Sequence, residues 1–223
     1  MASSLSQRGA ARAPPPPDQL ASFYKLVDKK TTAGVLCRHA RDVELSTQAA
    51  VQAEELFGED SLVVASLRYA ESESLAGVCV AANGADIEAL RRRSWAVLVS
   101  LIPPLLRRLE ASTLLPGTVR EEELEYEAHS QAALCQATNS PVPPLPVLRA
   151  FASTLGYNTL VRAMCRSLSL VRQPSWPQHE LKMVELFVLQ GLDVIPRTAG
   201  IPANLILGEI YIVMVIEQDN DFR

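Results

Sequence analysis

The stretch that decides the fold is residues 46–80, STQAAVQAEELFGEDSLVVASLRYAESESLAGVCV, in which Gly58 separates two apolar patterns. Before Gly58 the apolar residues recur at steps of three and four, so they share one side of a helix. Glycine tolerates positive φ at a helix end, and Asp60 or Ser61 can accept the free N–H groups of a second helix. Because the linker is so short, we expect the two helices to pack as an antiparallel hairpin. The apolar positions are Ala49, Ala50, Ala53, Leu56 and Phe57, followed by Leu62, Val63, Leu67, Ala70 and Val78.

Within this stretch, residues 53–71, AEELFGEDSLVVASLRYAE, resemble the junction between two units of tetratricopeptide repeats of the kinesin-light-chain type. In that family a helix ends in a Gly-Glu-Asp-like turn before a helix that contains Val-Ala. Leu67 comes one position early for the usual Val-Ala-x-x-Leu step, and residues 68–71, RYAE, replace an Asn-Asn-Leu-Ala run. The resemblance covers about one hairpin and implies a helical-repeat scaffold that binds other proteins. The matching residues are Ala53, Leu56, Gly58, Glu59, Asp60, Val64, Ala65 and Leu67.

Composition extends the all-α expectation to the rest of the chain. Of the 223 residues, 48% are hydrophobic but only 5% are aromatic, and alanine and leucine dominate the apolar set. Small apolar side chains favour closely packed helices over an aromatic-rich β-sandwich. We therefore expect an all-α fold of antiparallel helical hairpins, arranged either as a short tetratricopeptide-like solenoid or as an irregular helical bundle.

Apolar periodicity predicts seven helices and leaves one segment open. Pro103 and Pro104 fall inside the fourth helix and should kink or break it, and Pro196 should end the seventh. Gly156 should bend or interrupt the sixth helix. Residues 199–217 are expected to form a buried eighth helix, with a strand or a partner-binding surface as alternatives. The predicted helices span residues 18–30, 33–57, 61–80, 83–109, 121–137, 145–171 and 178–196, with caps expected at Asp18, Asn83, Thr118 and Ser175.

The ends and linkers suggest a simple domain organisation. Residues 1–17 are rich in Ser, Ala, Arg and Pro and contain no acid, which predicts a disordered tail, with an organelle transit segment as the alternative. Residues 18–223 are expected to form one helical domain. Successive prolines make residues 140–146 an extended linker, and a division of the domain near it stays open.

Charge and cysteine content limit the classes of partner. The formal net charge of -4 and the sequence pI of about 5.5 provide no basic excess for a phosphate backbone, so nucleic acid is not a favoured partner. The four cysteines lie far apart without a Cys-x-x-Cys pair, which predicts reduced thiols and neither a metal nor a cofactor site. Together with the lack of an apolar run long enough for a membrane span, this favours a cytoplasmic protein.

Two sets of polar residues could carry chemistry. Glu125 and His129 share one helical face at a spacing of four residues, a geometry that can polarise a base, but no recognised catalytic motif accompanies them. Residues 91–93 are consecutive arginines, which could form a basic surface for an anionic partner. Because three consecutive residues spread around a helix, a solvated flank is the simpler interpretation.

The sequence therefore favours a non-catalytic protein interaction module or adaptor. The concave face of the central hairpins would hold an extended or helical peptide. A helical enzyme or a binder of a small apolar ligand is the alternative, with Glu125 and His129 as its candidate pair. No catalytic, cofactor-binding or metal-binding residue is assigned, and the oligomeric state stays open.

Overall fold

The computed structural model describes residues 15–82, 85–111, 120–172, 176–199 and 207–208. Within these ranges the chain forms helices and no strand, which confirms the all-α prediction. The helices are α1 (Pro17–Val35), α2 (His39–Phe57), α3 (Leu62–Ala81), α4 (Ala85–Ala111), α5 (Glu121–Thr138), α6 (Leu145–Val171) and α7 (Gln178–Ala199).

Local sequence explains where several helices begin. Pro17 is the first residue of α1, where its missing N–H costs nothing. The predicted cap at Asp18 is wrong, because Pro16 is the N-cap residue and Asp18 lies inside the first turn. The Ser61 hydroxyl caps α3 by accepting a hydrogen bond from the Val63 backbone N–H, as the sequence predicts. The first turn of α5 carries three glutamates, which lie at the positive end of the helix dipole.

The turn between α1 and α2 lies farther along the chain than predicted. The sequence placed it between residues 30 and 33, whereas α1 continues to Val35 and the reversal occurs at Cys37, with φ of 52°. Thr31 and Ala33 are buried, so the apolar side of α1 extends by one more turn before the chain can leave the core. Burial of Thr31 and Ala33 therefore outweighs the helix end that the polar residues 28–32 suggest.

Prolines interrupt the helices less than their local effect predicts. Of the predicted kink or break at Pro103 and Pro104, the break is wrong, because α4 runs continuously past both residues; the kink stays a prediction. The prediction that Pro196 ends α7 is also wrong, since the helix continues to Ala199. Burial of the flanking side chains holds the helical path despite each lost hydrogen bond. These buried flanking residues are Leu101, Ile102, Leu105 and Leu106 in α4 and Val194 and Ile195 in α7.

The sixth helix is likewise uninterrupted at Gly156. A Cβ atom at this position would come within 2.9 Å of the Leu62 side chain at the start of α3. The predicted interruption is therefore wrong, while the predicted bend stays a prediction; the close approach of α3 gives a packing reason for this glycine.

The helices close into a bundle. Helix α1 packs against α2, α2 against α3 and α3 against α4. Helix α5 packs against α1, and α6 packs against α3, α4 and α5, while α7 lies on α4 and α6. In a solenoid each unit contacts only its sequence neighbours, so the contact between α1 and α5 favours the irregular bundle of the two expected arrangements.

Two apolar clusters form the core, and α3 contributes to both. The first cluster joins α1, α2, α3 and α5 around Phe23 and Leu67, which are fully buried. The second joins α3, α4, α6 and α7 around Leu98, Leu160 and Met164. Neighbouring residues of α3 thus face different clusters, which makes this helix the centre of the fold.

The Gly58 turn joins α2 to this central helix. Gly58 has φ of 93° and ψ of 159°, which confirms the predicted positive φ. This backbone region is essentially restricted to glycine. The Gly58 N–H donates to the Glu54 carbonyl, and the Gly58 carbonyl accepts from the Ser61 N–H.

Some predictions lie outside the described residues. These are the tail at residues 1–14, the caps at Asn83, Thr118 and Ser175, and most of the segment 199–217. A division near residues 140–146 stays a prediction; α6, which follows that linker, packs against α3 and α4. None of the helices in the described ranges combines the length and apolarity needed to cross a membrane.

We expect Gly58→Val to lower the free energy of unfolding by about 1–3 kcal/mol, because a β-branched residue is strained at this φ and ψ. Urea denaturation measures the loss. Glu59→Val, at the exposed neighbouring position, is the control and should change stability by no more than about 0.5 kcal/mol. Equal stability of the two variants would contradict the strained turn.

Candidate functional site

An open cleft of about 230 Å³ lies where α2, α3 and α4 meet. Its position corresponds to the central hairpins, where the sequence placed the peptide-binding face. Residues from both sides of the Gly58 turn contribute, so the hairpin that organises the fold also shapes this surface. The lining residues are Glu54, Glu59, Val64, Ala65, Arg68, Val97, Ser100, Leu101 and Pro104.

The floor of the cleft is apolar. Val64, Ala65 and Leu101 are buried, and Val97 and Pro104 are partly exposed beside them. Because α3 and α4 are both anchored by the core clusters, this floor is held in place before any ligand arrives. It can accept a small aliphatic side chain.

The rim of the cleft is acidic on the side of α2. Glu54 lies in the last turn of α2, with its side chain 48% exposed, and Glu59 follows in the Gly58 turn. The C-terminus of a helix carries partial negative charge on its last carbonyl groups. The end of α2 therefore adds to the negative potential of these two carboxylates.

The basic rim residue, Arg68, is paired with carboxylates of the protein itself, including Glu54 at 3.9 Å. Its guanidinium lies 3.1 Å from Glu71, a carboxylate that is only 2% exposed. The other oxygen of Glu71 accepts from Arg93 at 3.0 Å, and Arg93 also reaches the Thr47 hydroxyl at 3.4 Å. A buried carboxylate needs such partners to offset its desolvation. Glu71 thus ties Arg68 to the body of the protein and ties α3 to α4.

The proline pair in α4 leaves a main-chain acceptor at the cleft wall. Pro104 has no N–H, so the Ser100 carbonyl lacks the donor that an ordinary helix supplies four residues later. Both residues line the cleft. The Ser100 hydroxyl donates to the Val97 carbonyl at 2.8 Å and is not free for chemistry.

A buried carboxylate joins the start of α3 to α4 and α5. Glu123, at the start of α5, is fully buried, and its Oε1 accepts from the Leu62 N–H at 3.1 Å. Its Oε2 accepts from Arg108 at 2.9 Å and from the Arg120 N–H at 3.0 Å. Arg120 in turn donates to Asp60 at 2.8 Å. The Glu123 side chain therefore joins Leu62, which follows the Gly58 turn, to α4 and α5.

The candidate residues Glu125 and His129 both lie on α5, where the His129 imidazole contacts a different carboxylate. His129 Nε2 lies 2.8 Å from Asp28 of α1, while Glu125 is exposed. The Tyr24 ring packs against the imidazole with centroids 4.3 Å apart. Burial, with a smaller contribution from Glu125, raises the pKa of Tyr24 to about 12. This cluster links α1 to α5 and stands apart from the cleft.

The three consecutive arginines are divided among different partners. Arg92 donates to Glu88 and to Glu180 of α7, and its guanidinium lies 4.0 Å from the centre of the Trp176 ring. Arg93 is bound to Glu71 as described above. At least two of the three positive charges are thus compensated within the protein, which argues against a shared basic surface.

All four cysteines are free thiols, with Cys135 and Cys165 buried, Cys79 partly buried and Cys37 exposed. Burial raises the pKa of the Cys79 thiol, which disfavours the thiolate. Across the described ranges, no group of three or more His, Cys, Asp or Glu residues is placed to hold a metal ion.

No protein-family model, curated protein or solved structure matches this chain. The geometry of the cleft is therefore the basis for a functional proposal.

We expect Glu123→Ala to lower the free energy of unfolding by about 3–5 kcal/mol, because the Arg108 guanidinium, only 11% exposed, loses its carboxylate. Urea denaturation measures the effect. Glu121→Ala removes an exposed carboxylate from the same first turn and should cost less than about 1 kcal/mol. Similar losses for both variants would show that the buried contacts of Glu123 contribute little.

The raised pKa of Tyr24 predicts a specific loss of stability at high pH. An unfolded tyrosine ionises near pH 10, whereas folded Tyr24 keeps its proton to about 12. The unfolded state therefore binds fewer protons between these values, and the free energy of unfolding falls as pH rises. We expect Tyr24→Phe to make this fall shallower when urea denaturation is repeated from pH 9 to 11. Tyr126, whose pKa burial also raises to about 12, accounts for part of the remaining slope. An identical slope in the variant would contradict the prediction.

Proposed function

We propose that this protein is a non-catalytic interaction module that holds a segment of a partner protein in the cleft between α2, α3 and α4. The observation that carries the proposal is the combination of an apolar floor with the exposed carboxylates of Glu54 and Glu59 on its rim. A partner side chain can fill the floor while neighbouring groups bind the rim, which is the usual arrangement for peptide recognition in a helical groove.

The size of the cleft supports a segment over a small molecule. Pockets that enclose small ligands usually measure about 300–1,000 Å³ and bury most of the ligand. This cleft measures about 230 Å³ and is open to solvent. It suits one or two side chains presented by a larger partner.

The polar groups at the cleft support binding over catalysis. The lining residues offer carboxylate and carbonyl acceptors, and the only lining hydroxyl, that of Ser100, is engaged with the Val97 carbonyl. Nucleophilic catalysis requires a hydroxyl or thiol beside a general base. Arg68 is likewise held by Glu71, so it acts as part of the wall.

The resemblance to tetratricopeptide repeats of the kinesin-light-chain type agrees with this proposal. The run at residues 53–71 contains Glu54, Glu59, Val64, Ala65 and Arg68, all of which line the cleft. A protein with four free thiols suits a reducing compartment, so we propose that binding takes place in the cytoplasm.

Selection from a phage-displayed library of random peptides tests the proposal. We expect peptides enriched on the wild-type protein to lose at least about tenfold in affinity for Ser100→Trp, because the indole fills the cleft. Gln136→Trp, at an exposed position of α5 outside the cleft, is the matched control and should bind as the wild type does.

Two results would overturn the proposal. One is selection that enriches no peptide on the wild-type protein. The other is enrichment of peptides that bind Ser100→Trp as tightly as the wild type, because their site would then lie elsewhere.

A further inference from the structure

We infer that the partner segment pairs an aliphatic side chain with an adjacent arginine or lysine, the aliphatic group entering the floor and the cation lying against the rim. This inference rests on the proposed function, since it names the chemistry of the segment that the cleft would hold. It goes further by predicting which sequences the cleft selects and which it rejects.

The first argument is the charge of the rim. Glu54 and Glu59 flank the floor on the side of α2, and both are exposed to an approaching partner. The Glu54 carboxylate lies 3.9 Å from Arg68, too far for a hydrogen bond, so its acceptor capacity is largely unused. A partner cation at Glu54 therefore competes only with this long ion pair, and no hydrogen bond has to be broken.

The second argument is that Arg68 cannot attract an acidic partner effectively. Glu71 is 2% exposed and lies 3.1 Å from the Arg68 guanidinium, so pulling Arg68 away would weaken the pairing of a buried carboxylate. Arg68 is thus held mainly by Glu71 and more loosely by Glu54, whereas the side chains of Glu54 and Glu59 are exposed at the rim. This asymmetry favours a partner segment with positive charge.

The third argument comes from the main chain. The Ser100 carbonyl lacks its helical donor because residue 104 is a proline, and the last carbonyls of α2 lie beside Glu54 and Glu59. These acceptors are complementary to a donor-rich side chain. A guanidinium carries five N–H donors and an ammonium carries three, whereas a carboxylate carries none.

Three sublibraries test the inference directly. Each displays peptides with a fixed central leucine followed by arginine, glutamine or glutamate, with random flanking residues. On the wild-type protein we expect the Leu-Arg sublibrary to be enriched most and the Leu-Glu sublibrary least. The peptide with the greatest enrichment should then lose affinity as ionic strength rises, because exposed ion pairs are screened by salt.

Variants of the rim distinguish recognition of charge from nonspecific binding. Glu54→Gln and Glu59→Gln keep the shape of the rim and should each weaken binding of the Leu-Arg peptide by roughly two- to fivefold, the range expected for an exposed ion pair. The double variant Glu54→Lys with Glu59→Lys should reverse the preference and enrich the Leu-Glu sublibrary. Glu121→Gln, at an exposed position of α5 outside the cleft, is the control and should leave the preference unchanged.

The outcomes separate this inference from the proposed function. Enrichment of all three sublibraries to the same extent on the wild-type protein would overturn the inference while leaving peptide binding intact. Enrichment of none would instead overturn the proposed function. Retention of the Leu-Arg preference by the doubly reversed variant would also overturn the inference, because the rim would not be its source.

A variant lacking residues 1–14 checks whether the ligand belongs to another chain. That segment contains Arg8 and Arg12 and no acid, so it carries the same charge as the inferred partner. We expect the shortened protein to bind the Leu-Arg peptide with the affinity of the full chain. A gain of more than about tenfold would show that the protein's own N-terminal segment competes for the cleft, and would overturn the assignment to a partner.

Discussion

The bundle depends on the burial of one ionised side chain, Glu123, at the meeting point of three helices. Its two oxygens accept from the start of α3, from Arg108 near the end of α4 and from the backbone that begins α5. Removing the carboxylate would leave the buried Leu62 N–H without this acceptor, and an unpaired buried donor costs more than the hydrogen bond gains. The carboxylate thus determines how the ends of these helices meet, and with them the position of the Gly58 turn and of the cleft rim.

The features predicted from sequence are those with a local physical cause. Apolar periodicity identifies the helices, and Gly58 combines a helix end with a backbone conformation that other residues resist. The prolines of α4 and α7 show the limit of such reasoning. Their local effect is real, because a donor is lost, but the buried side chains on either side keep the helix continuous. Tertiary packing outweighs a local rule in both cases.

The sequence predicts the candidate site only in part. Residues 53–71 carry the family resemblance and supply much of the cleft lining. The rest of the lining comes from α4, the next helix along the chain. Glu123 illustrates what was missed, because its partner at Leu62 is 61 residues away in sequence. The sequence identifies it only as an acid in a first helical turn. A single sequence contains no pattern that predicts the contact between Glu123 and Leu62.

The shared role of α3 gives ligand binding a consequence for the whole molecule. Val64 and Ala65 are adjacent in the cleft floor, yet Val64 belongs to the cluster with α1, α2 and α5, and Ala65 to the cluster with α4, α6 and α7. A side chain seated on both residues therefore contacts the two halves of the core at once. Because such a ligand binds only when both halves are assembled, its binding free energy would be linked to their joint folding. Occupancy of a small surface cleft would then increase the cooperativity of the entire bundle.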